Sequence, residues 1–162
     1  MEKYIFLDVD GVLNCQDTYI KYGRAKHESL LDLAMVNRLV GIVEATEAKI
    51  VISSSWRLSS RSMDDLLSCF YKFGLRIYGI TPDNFSNRGQ QIEEWLLAHH
   101  KGETVRLIIL DDDIIEDNMQ SYQIKTKWVI GLQDGHMKEA IHALLGDEDN
   151  DRCKYNYTCK NI

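Results

Sequence analysis

The sequence predicts an α/β fold in which helices cover both faces of a parallel sheet. Residues 4–7 are continuously apolar and 105–110 are apolar except for Arg106, as strands buried on both faces of a sheet require. Other apolar segments alternate with stretches whose apolar residues recur at helical spacing, which is the order of elements in parallel α/β folds. The length of 162 residues suits one domain with a single core.

Turn and capping residues divide the chain into these elements. Ser29 with Asp32 and Ser62 with Asp65 resemble capping boxes, and each pair precedes a helical apolar stripe. The strands are predicted, in chain order, at 4–7, 50–52, 75–80, 105–110 and within 122–130. Two further helices are predicted to begin at Asn87 and Asp134. Residues 14–28 are predicted to form a loop or small flap, and the polar segment 147–162 to be frayed.

Charge and composition argue against several classes of protein. A formal net charge of −6 disfavours a protein that coats nucleic acid without specificity. Residues 18–62 nevertheless contain seven basic and four acidic residues, which indicates either a solvated mixed surface or a patch that attracts phosphates. The sequence has neither a membrane-spanning apolar run nor a signal peptide pattern. Its four cysteines lack paired spacing, which predicts reduced thiols and a cytoplasmic location.

Polar residues follow three of the predicted strands. Asp8 and Asp10 end the first strand, Ser53 to Arg57 follow the second, and three aspartates occupy 111–113. The carboxyl ends of parallel strands meet at one edge of the sheet, where ligands bind in such folds. Asp8 and Asp10 share a strand face, and like charges so close repel unless a cation or a shared proton separates them. The pattern therefore predicts a chemical site at this edge.

Each of these residues also has an ordinary structural explanation. The aspartates at 111–113 suit a solvated turn or a helix N-terminus, and Ser53 suits a helix cap. Arg88 suits an exposed position in the first turn of a helix, although its charge is unfavourable there. The combination of Asp8, Asp10 and the aspartates at 111–113 favours a bound cation, because clustered carboxylates are costly without one.

Four segments together resemble the haloacid dehalogenase (HAD) superfamily of phosphatases. In chain order they read FLDVDGVLN, KIVISSSWR, RGQQIEEWL and LIILDDD. Their combination is most similar to the HAD domain of bacterial and phage RNA-repair proteins of the polynucleotide kinase-phosphatase type. The resemblance covers residues 4 to about 145 and implies a Rossmann-like HAD fold. The intervals 14–47 and 58–87, where the superfamily places cap domains, are too short for one, so a minimal cap or none is expected.

The resemblance implies a role for each matching residue. Asp8 is the expected nucleophile, Asp10 the general acid and base, and Arg88 the cation that contacts the phosphoryl group. Ser53, or its neighbour Ser54, is the expected phosphate ligand. The remaining expected substrate contacts are Gly11, which forms the turn after Asp10, and Arg57.

A Mg²⁺ ion is the cofactor that the resemblance implies, since a phosphate dianion and a carboxylate nucleophile repel each other. Its expected protein ligands are the Asp8 carboxylate, the Asp10 backbone carbonyl, and a carboxylate from Asp111 or Asp112.

These expectations define the predicted function. Residues 1–146 are expected to be a Mg²⁺-dependent phosphatase domain working through an aspartyl-phosphate, with 147–162 as a polar tail. A site without a lid admits a polymer end, so the predicted substrate is a nucleic-acid end, and the resemblance implies its 3′-phosphate. The alternatives are a 5′(3′)-nucleotidase acting on mononucleotides, a phosphoprotein phosphatase, and a receiver-like or inactive HAD binding module. No membrane partner is expected, and a kinase or ligase partner is left open.

Overall fold

The computed structural model describes residues 1–22, 30–84, 87–100, 102–146 and 153–156, which form one six-stranded sheet with flanking helices. The strands are β1 (Lys3–Leu7), β2 (Lys49–Ile52), β3 (Ile77–Ile80), β4 (Thr104–Asp111), β5 (Gln123–Lys125) and β6 (Lys154–Asn156). The helices are α1 (Gln16–Tyr22), α2 (Leu33–Thr46), α3 (Ser60–Lys72), α4 (Arg88–His99) and α5 (Asp134–Leu145). Two 3₁₀ helices span Ser55–Leu58 and Asp117–Tyr122.

The sheet has the order β3-β2-β1-β4-β5, and every pair along this path is parallel. Because β1 lies in the middle, its carboxyl end is flanked by those of β2 and β4. Leu7 stands opposite Ile52 on one side and Leu110 on the other. The three polar segments that follow these strands therefore converge at one edge of the sheet.

Alternate residues of β1 enter two different hydrophobic clusters, which confirms that helices cover both faces. Ile5 and Leu7 pack with residues of α2, α3 and α5, whereas Tyr4 and Phe6 pack with residues of α4. All four side chains are at most 3% exposed. Side chains of a strand alternate between its faces, so this division follows directly from the continuous apolar run. The predicted α/β class is correct.

Several predicted boundaries are wrong. The Asp32 side chain itself caps α2, accepting a hydrogen bond from the Ala34 amide at 2.9 Å, and Ser29 lies outside the described residues. The cap of α3 is Ser59 rather than Ser62, because the chain first makes the 3₁₀ turn Ser55–Leu58. The predicted flap contains α1, a helix too short to show clear periodicity. Asn87 caps α4 as predicted, accepting from the Gln90 amide at 2.8 Å.

The prediction of a frayed C-terminal segment is wrong for residues 153–156. Strand β6 pairs antiparallel with the first half of β4, and Cys153 is buried. The Tyr122 hydroxyl donates to the Lys154 carbonyl oxygen at 3.2 Å, and the Tyr155 ring lies edge-on to the Tyr122 ring. The polar composition of this segment did not indicate a strand, because a three-residue edge strand needs few buried side chains.

The interval between β2 and α4 supplies parts of the main fold. Leu66 and Phe70 of α3 lie in the core, and β3 pairs with β2. Among the described residues of this interval, no separate cap is present. In the part of the chain that the structure describes, the helices are also too short and too polar to span a bilayer.

Candidate active site

Asp8, Ser53 and Asp111 mark the carboxyl ends of β1, β2 and β4, where backbone hydrogen bonds hold them in register. The Asp8 amide donates to the Leu110 carbonyl oxygen at 2.9 Å, and the Ser53 amide donates to the Leu7 carbonyl oxygen at 3.0 Å. All three residues are buried. Because β1 bonds to strands on both sides, the relative positions of these side chains are fixed by the sheet itself.

Three carboxylates converge at this edge. One oxygen from each of Asp8, Asp111 and Asp112 lies within 4.8 Å of the others. Burial, followed by the Asp8 charge, raises the pKa of Asp111 to about 7, and the same two causes raise the pKa of Asp112. Oxygen ligands at this spacing fit a hard divalent cation such as Mg²⁺, which would relieve the repulsion.

Arg88 balances part of this negative charge. Its Nη1 lies 3.0 Å from Asp8 Oδ2 and also donates to Asp111 Oδ2. Burial lowers the pKa of Arg88, but the carboxylates of Asp8 and Asp111 more than offset that effect, and the net shift is upward. Arg88 reaches both carboxylates because it begins α4, whose N-terminus faces the same edge as the strand ends. The alternative explanation of Arg88 as an exposed surface residue is therefore wrong.

Asp111 and Asp112 differ in how many hydrogen bonds their carboxylates already make. Asp111 accepts from Arg88 through Oδ2 and from the Asp113 amide through Oδ1 at 2.9 Å. The Asp112 carboxylate instead lies against Gly11. Gly11 has a φ of 73°, and a Cβ there would overlap the Asp112 carboxylate. Gly11 therefore makes room for an aspartate, and the substrate contact predicted for it stays a prediction.

Asp10 is held by three donors that all reach the same oxygen, Oδ1. They are Asn14 Nδ2 at 2.9 Å, the Tyr19 hydroxyl at 2.9 Å and Trp56 Nε1 at 3.1 Å. Burial and the bond to Asp10 raise the pKa of Tyr19, which keeps its hydroxyl protonated and donating. No sequence pattern assigned a role to these three residues. Tyr19 reaches Asp10 from α1 and Trp56 reaches it from the turn after β2, whereas Asn14 belongs to the segment FLDVDGVLN itself.

Ser53 and Ser54 are distinguished by their hydrogen bonds. Ser54 Oγ accepts from the Trp56 amide at 3.2 Å and caps the 3₁₀ helix Ser55–Leu58. Ser53 Oγ is fully buried and has no hydrogen-bond partner among the described residues. A buried hydroxyl without a partner is costly, and a ligand oxygen at this position would satisfy it.

The Arg57 guanidinium bonds to groups of the protein itself, rather than being free for the substrate contact predicted for it. Its Nε donates to the Thr81 carbonyl oxygen at 3.0 Å, and its Nη1 donates to the carbonyl oxygens of Ser53 and Ser54 at 3.1 and 2.8 Å. Its Nη2 donates to the Pro82 carbonyl oxygen and to Gln91 Oε1. A guanidinium has five N–H donors, so all of them are occupied within the protein. Arg57 therefore ties together the ends of β2 and β3 and helix α4.

Thr126 connects the loop after β5 to the segment that follows β1 and to the end of β4. Thr126, just after β5, donates through Oγ1 to the Gly11 carbonyl oxygen at 2.7 Å and through its amide to the Asp111 carbonyl oxygen at 3.0 Å. Nothing in the sequence pattern singled out this threonine.

An open cleft of about 480 Å³ begins at Arg88 and Asp111 and is bordered by Asp113, Ile114 and Glu116.

The predicted basic patch is only partly represented at this edge. Lys21 is exposed on α1 and Arg61 is exposed on α3, whereas Arg57 is used internally. Arg24 and Lys26, the other basic residues of the flap, lie outside the described residues.

The fold and the site together define a HAD-like domain. Its parallel sheet carries an aspartate pair after the first strand, a serine after the second and an aspartate cluster after the fourth. The family model for the HAD domain in Swiss Army Knife RNA repair proteins matches residues 4–137, and the chain belongs to this family. Among curated proteins and solved structures, none matches the chain significantly. The family and the acidic cluster indicate a HAD-type phosphohydrolase.

Proposed function

We propose that this protein is a Mg²⁺-dependent phosphatase that works through an aspartyl-phosphate on Asp8 and removes terminal phosphates, in particular 3′-phosphates, from polynucleotides. The observation that carries the proposal is the group of Asp8, Asp111 and Asp112, with Arg88 bridging two of them. Such a group concentrates negative charge where a cation and a phosphoryl group would both be bound. The unpartnered Ser53 hydroxyl is the natural donor to a phosphoryl oxygen.

In the proposed reaction the Asp8 carboxylate attacks phosphorus while the ester P–O bond breaks. Asp10 gives its proton to the departing oxygen, which leaves as an alcohol. In the second step Asp10 takes a proton from water, and the resulting hydroxide attacks the phosphorus of the aspartyl-phosphate, which frees inorganic phosphate and restores Asp8. Asp10 Oδ1 already accepts three hydrogen bonds, so Oδ2 is the oxygen that exchanges the proton.

A Mg²⁺ ion held by Asp8, Asp112 and the Asp10 carbonyl oxygen would supply positive charge that offsets the repulsion between carboxylate and phosphate. We assign the late carboxylate ligand to Asp112, because Arg88 and the Asp113 amide already bind both oxygens of Asp111. In this arrangement Asp111 fixes Arg88, and Arg88 and Ser53 donate to the phosphoryl oxygens.

Two observations support a polymer end as the substrate. The described residues of 53–87 form no separate cap, so this interval does not supply the enclosure that small-molecule sites rely on. The family is described as a domain of RNA repair proteins, which act on nucleic acids. The preference for a 3′-phosphate comes from the family resemblance alone.

The test is a panel of phosphorylated substrates assayed with Mg²⁺ and with a chelator. A 3′-phosphorylated oligonucleotide is expected to have a higher kcat/KM than the matching 5′-phosphorylated oligonucleotide, mononucleotide and phosphopeptide. Raised salt should reduce the advantage over the mononucleotide, since the flanking phosphates contribute to binding. Asp8→Asn keeps the shape of the side chain and should abolish turnover.

Full activity in excess chelator, or an active Asp8→Asn enzyme, would contradict the chemistry. Preference for mononucleotides or phosphopeptides at every salt concentration would contradict only the polynucleotide substrate.

A further inference from the structure

The loop after β5 presents an aromatic residue at the active edge. Thr126 anchors the start of this loop to Gly11 and Asp111, and the Trp128 carbonyl oxygen accepts from the Gln16 amide at the start of α1. The Trp128 side chain is 38% exposed. A large ring left partly in solvent, on a loop fixed at both sides, is available to contact a ligand.

A chain of contacts connects Trp128 with the proposed general acid. The Trp128 ring lies 5.1 Å from the Tyr19 ring, centroid to centroid, and the Tyr19 hydroxyl donates to Asp10 Oδ1 at 2.9 Å. Because Asp10 is the group that protonates the departing oxygen, the leaving group must lie on the Asp10 side of the phosphorus. Only the Tyr19 side chain therefore connects Trp128 to Asp10, beside which the terminal nucleoside would lie.

The charge around Trp128 suits a nucleic-acid strand. Lys125, the last residue of β5, and Lys127, in the loop that follows, are both exposed and flank Thr126. The cleft beside Arg88 is lined by Arg57 as well, but the donors of Arg57 are used within the protein and Arg88 is paired with Asp8 and Asp111. Its exposed carboxylates, Asp113 and Glu116, would repel a strand of phosphates, so the lysines near Trp128 offer the more favourable path.

We propose that Trp128 is the stacking platform for the terminal base of the nucleic-acid substrate, with Lys125 and Lys127 contacting the phosphates of the adjoining nucleotides. The inference rests on the proposed polynucleotide phosphatase activity and adds the residue that recognises the leaving nucleoside. Stacking on an aromatic ring tolerates every base, so the site should accept ends of any sequence.

The test compares two 3′-phosphorylated oligonucleotides that differ only in the last nucleotide, which is normal in one and lacks its base in the other. Wild-type protein is expected to have a kcat/KM roughly tenfold higher for the end that carries a base. Trp128→Ala should reduce this ratio to near one, mainly through KM, and Trp128→Phe should restore most of it. Tyr71→Ala is the control, because Tyr71 is 87% exposed near the end of α3, which leads away from the active edge.

A second measurement does not depend on turnover. In protein carrying Asp8→Asn, the oligonucleotide with a terminal base should quench tryptophan fluorescence more than the abasic one. Adding Trp128→Phe should remove that difference.

Equal loss of activity on both oligonucleotides in Trp128→Ala would overturn the inference, because Trp128 would then act only by positioning Tyr19 and Asp10. An unchanged ratio would overturn it as well. If the wild-type protein hydrolyses small phosphate esters but no oligonucleotide, the proposed polynucleotide substrate itself is wrong.

Discussion

Single residues at the active edge are specialised by their contacts rather than by their type. Asp111, Asp112 and Asp113 are identical in chemistry and adjacent in sequence, yet only the first is bound by Arg88 and only the second lies against Gly11. Asp113 is exposed and contributes its amide to Asp111. The three aspartates should therefore respond differently to the same substitution.

We expect Asp112→Asn to weaken Mg²⁺ binding much more than Asp113→Asn. Loss of an outer-shell partner of a metal ligand typically costs about 10–100-fold in metal affinity, so loss of a direct ligand should raise the Mg²⁺ dissociation constant by at least that much. Calorimetric titration with Mg²⁺ measures the affinity without relying on turnover. Asp113→Asn is the matched control, and equal, small effects of both substitutions would mean that the aspartate run is only a solvated turn.

At the scale of elements, Arg57 joins parts of the fold that are remote in sequence. Its guanidinium bonds the carbonyl oxygens of Ser53 and Ser54 after β2, of Thr81 and Pro82 after β3, and the Gln91 side chain on α4. The same α4 carries Arg88, so this residue sets the distance between the serine segment and the arginine that faces it.

Arg57→Met should lower both stability and turnover. Removing the guanidinium leaves several half-buried carbonyl oxygens without donors, and we expect the free energy of unfolding to fall by about 1–3 kcal/mol. The kcat should fall in addition, because the Ser53 segment loses the bond that fixes it. Urea unfolding and steady-state kinetics measure the two effects. The exposed Arg61, changed to Met, is the control, and an Arg57→Met protein as stable and active as Arg61→Met would refute this assignment.

At the scale of the whole molecule, the C-terminal strand belongs to the sheet. Strand β6 pairs with the half of β4 that β5 does not reach, and Tyr155 packs on Tyr122 of the 3₁₀ helix Asp117–Tyr122. It bonds to the backbone of the N-terminal half of β4, at the end of the sheet opposite to the active edge.

Deleting residues 147–162 should therefore destabilise the protein without removing its chemistry. Loss of the β6 hydrogen bonds is expected to cost about 2 kcal/mol, which lowers the Tm by about 4–8 °C for a chain of this size. Thermal unfolding of this variant and of one that lacks only 157–162 isolates the contribution of β6. If the two variants unfold at the same temperature, β6 adds nothing to stability, and residues 1–146 would be the independent domain that the sequence predicts.

Much of the fold and part of the site were predictable from local pattern. The apolar runs ending in Asp8, Ser53 and Asp111 could be assigned because a strand buried on both faces leaves a continuous apolar signature that stops where the strand meets solvent. Asn87 was recognised because a capping side chain bonds an amide three residues away. In contrast, α1 and β6 are too short for periodicity to reveal them.

The sequence by itself determined which residues could take part in the chemistry: an aspartate pair, a serine and an aspartate run, each at the end of a strand in a parallel sheet. Only the tertiary structure decided how the tasks are divided among them. The choice between Asp111 and Asp112 and the use of Arg57 depend on partners 20 or more residues away, among them Arg88, Gly11 and Thr81. The choice between Ser53 and Ser54 depends on the 3₁₀ turn Ser55–Leu58, which the sequence pattern did not predict and which Ser54 caps. A residue type limits which bonds are available, but burial and the arrival of distant donors and acceptors decide which of those bonds are made.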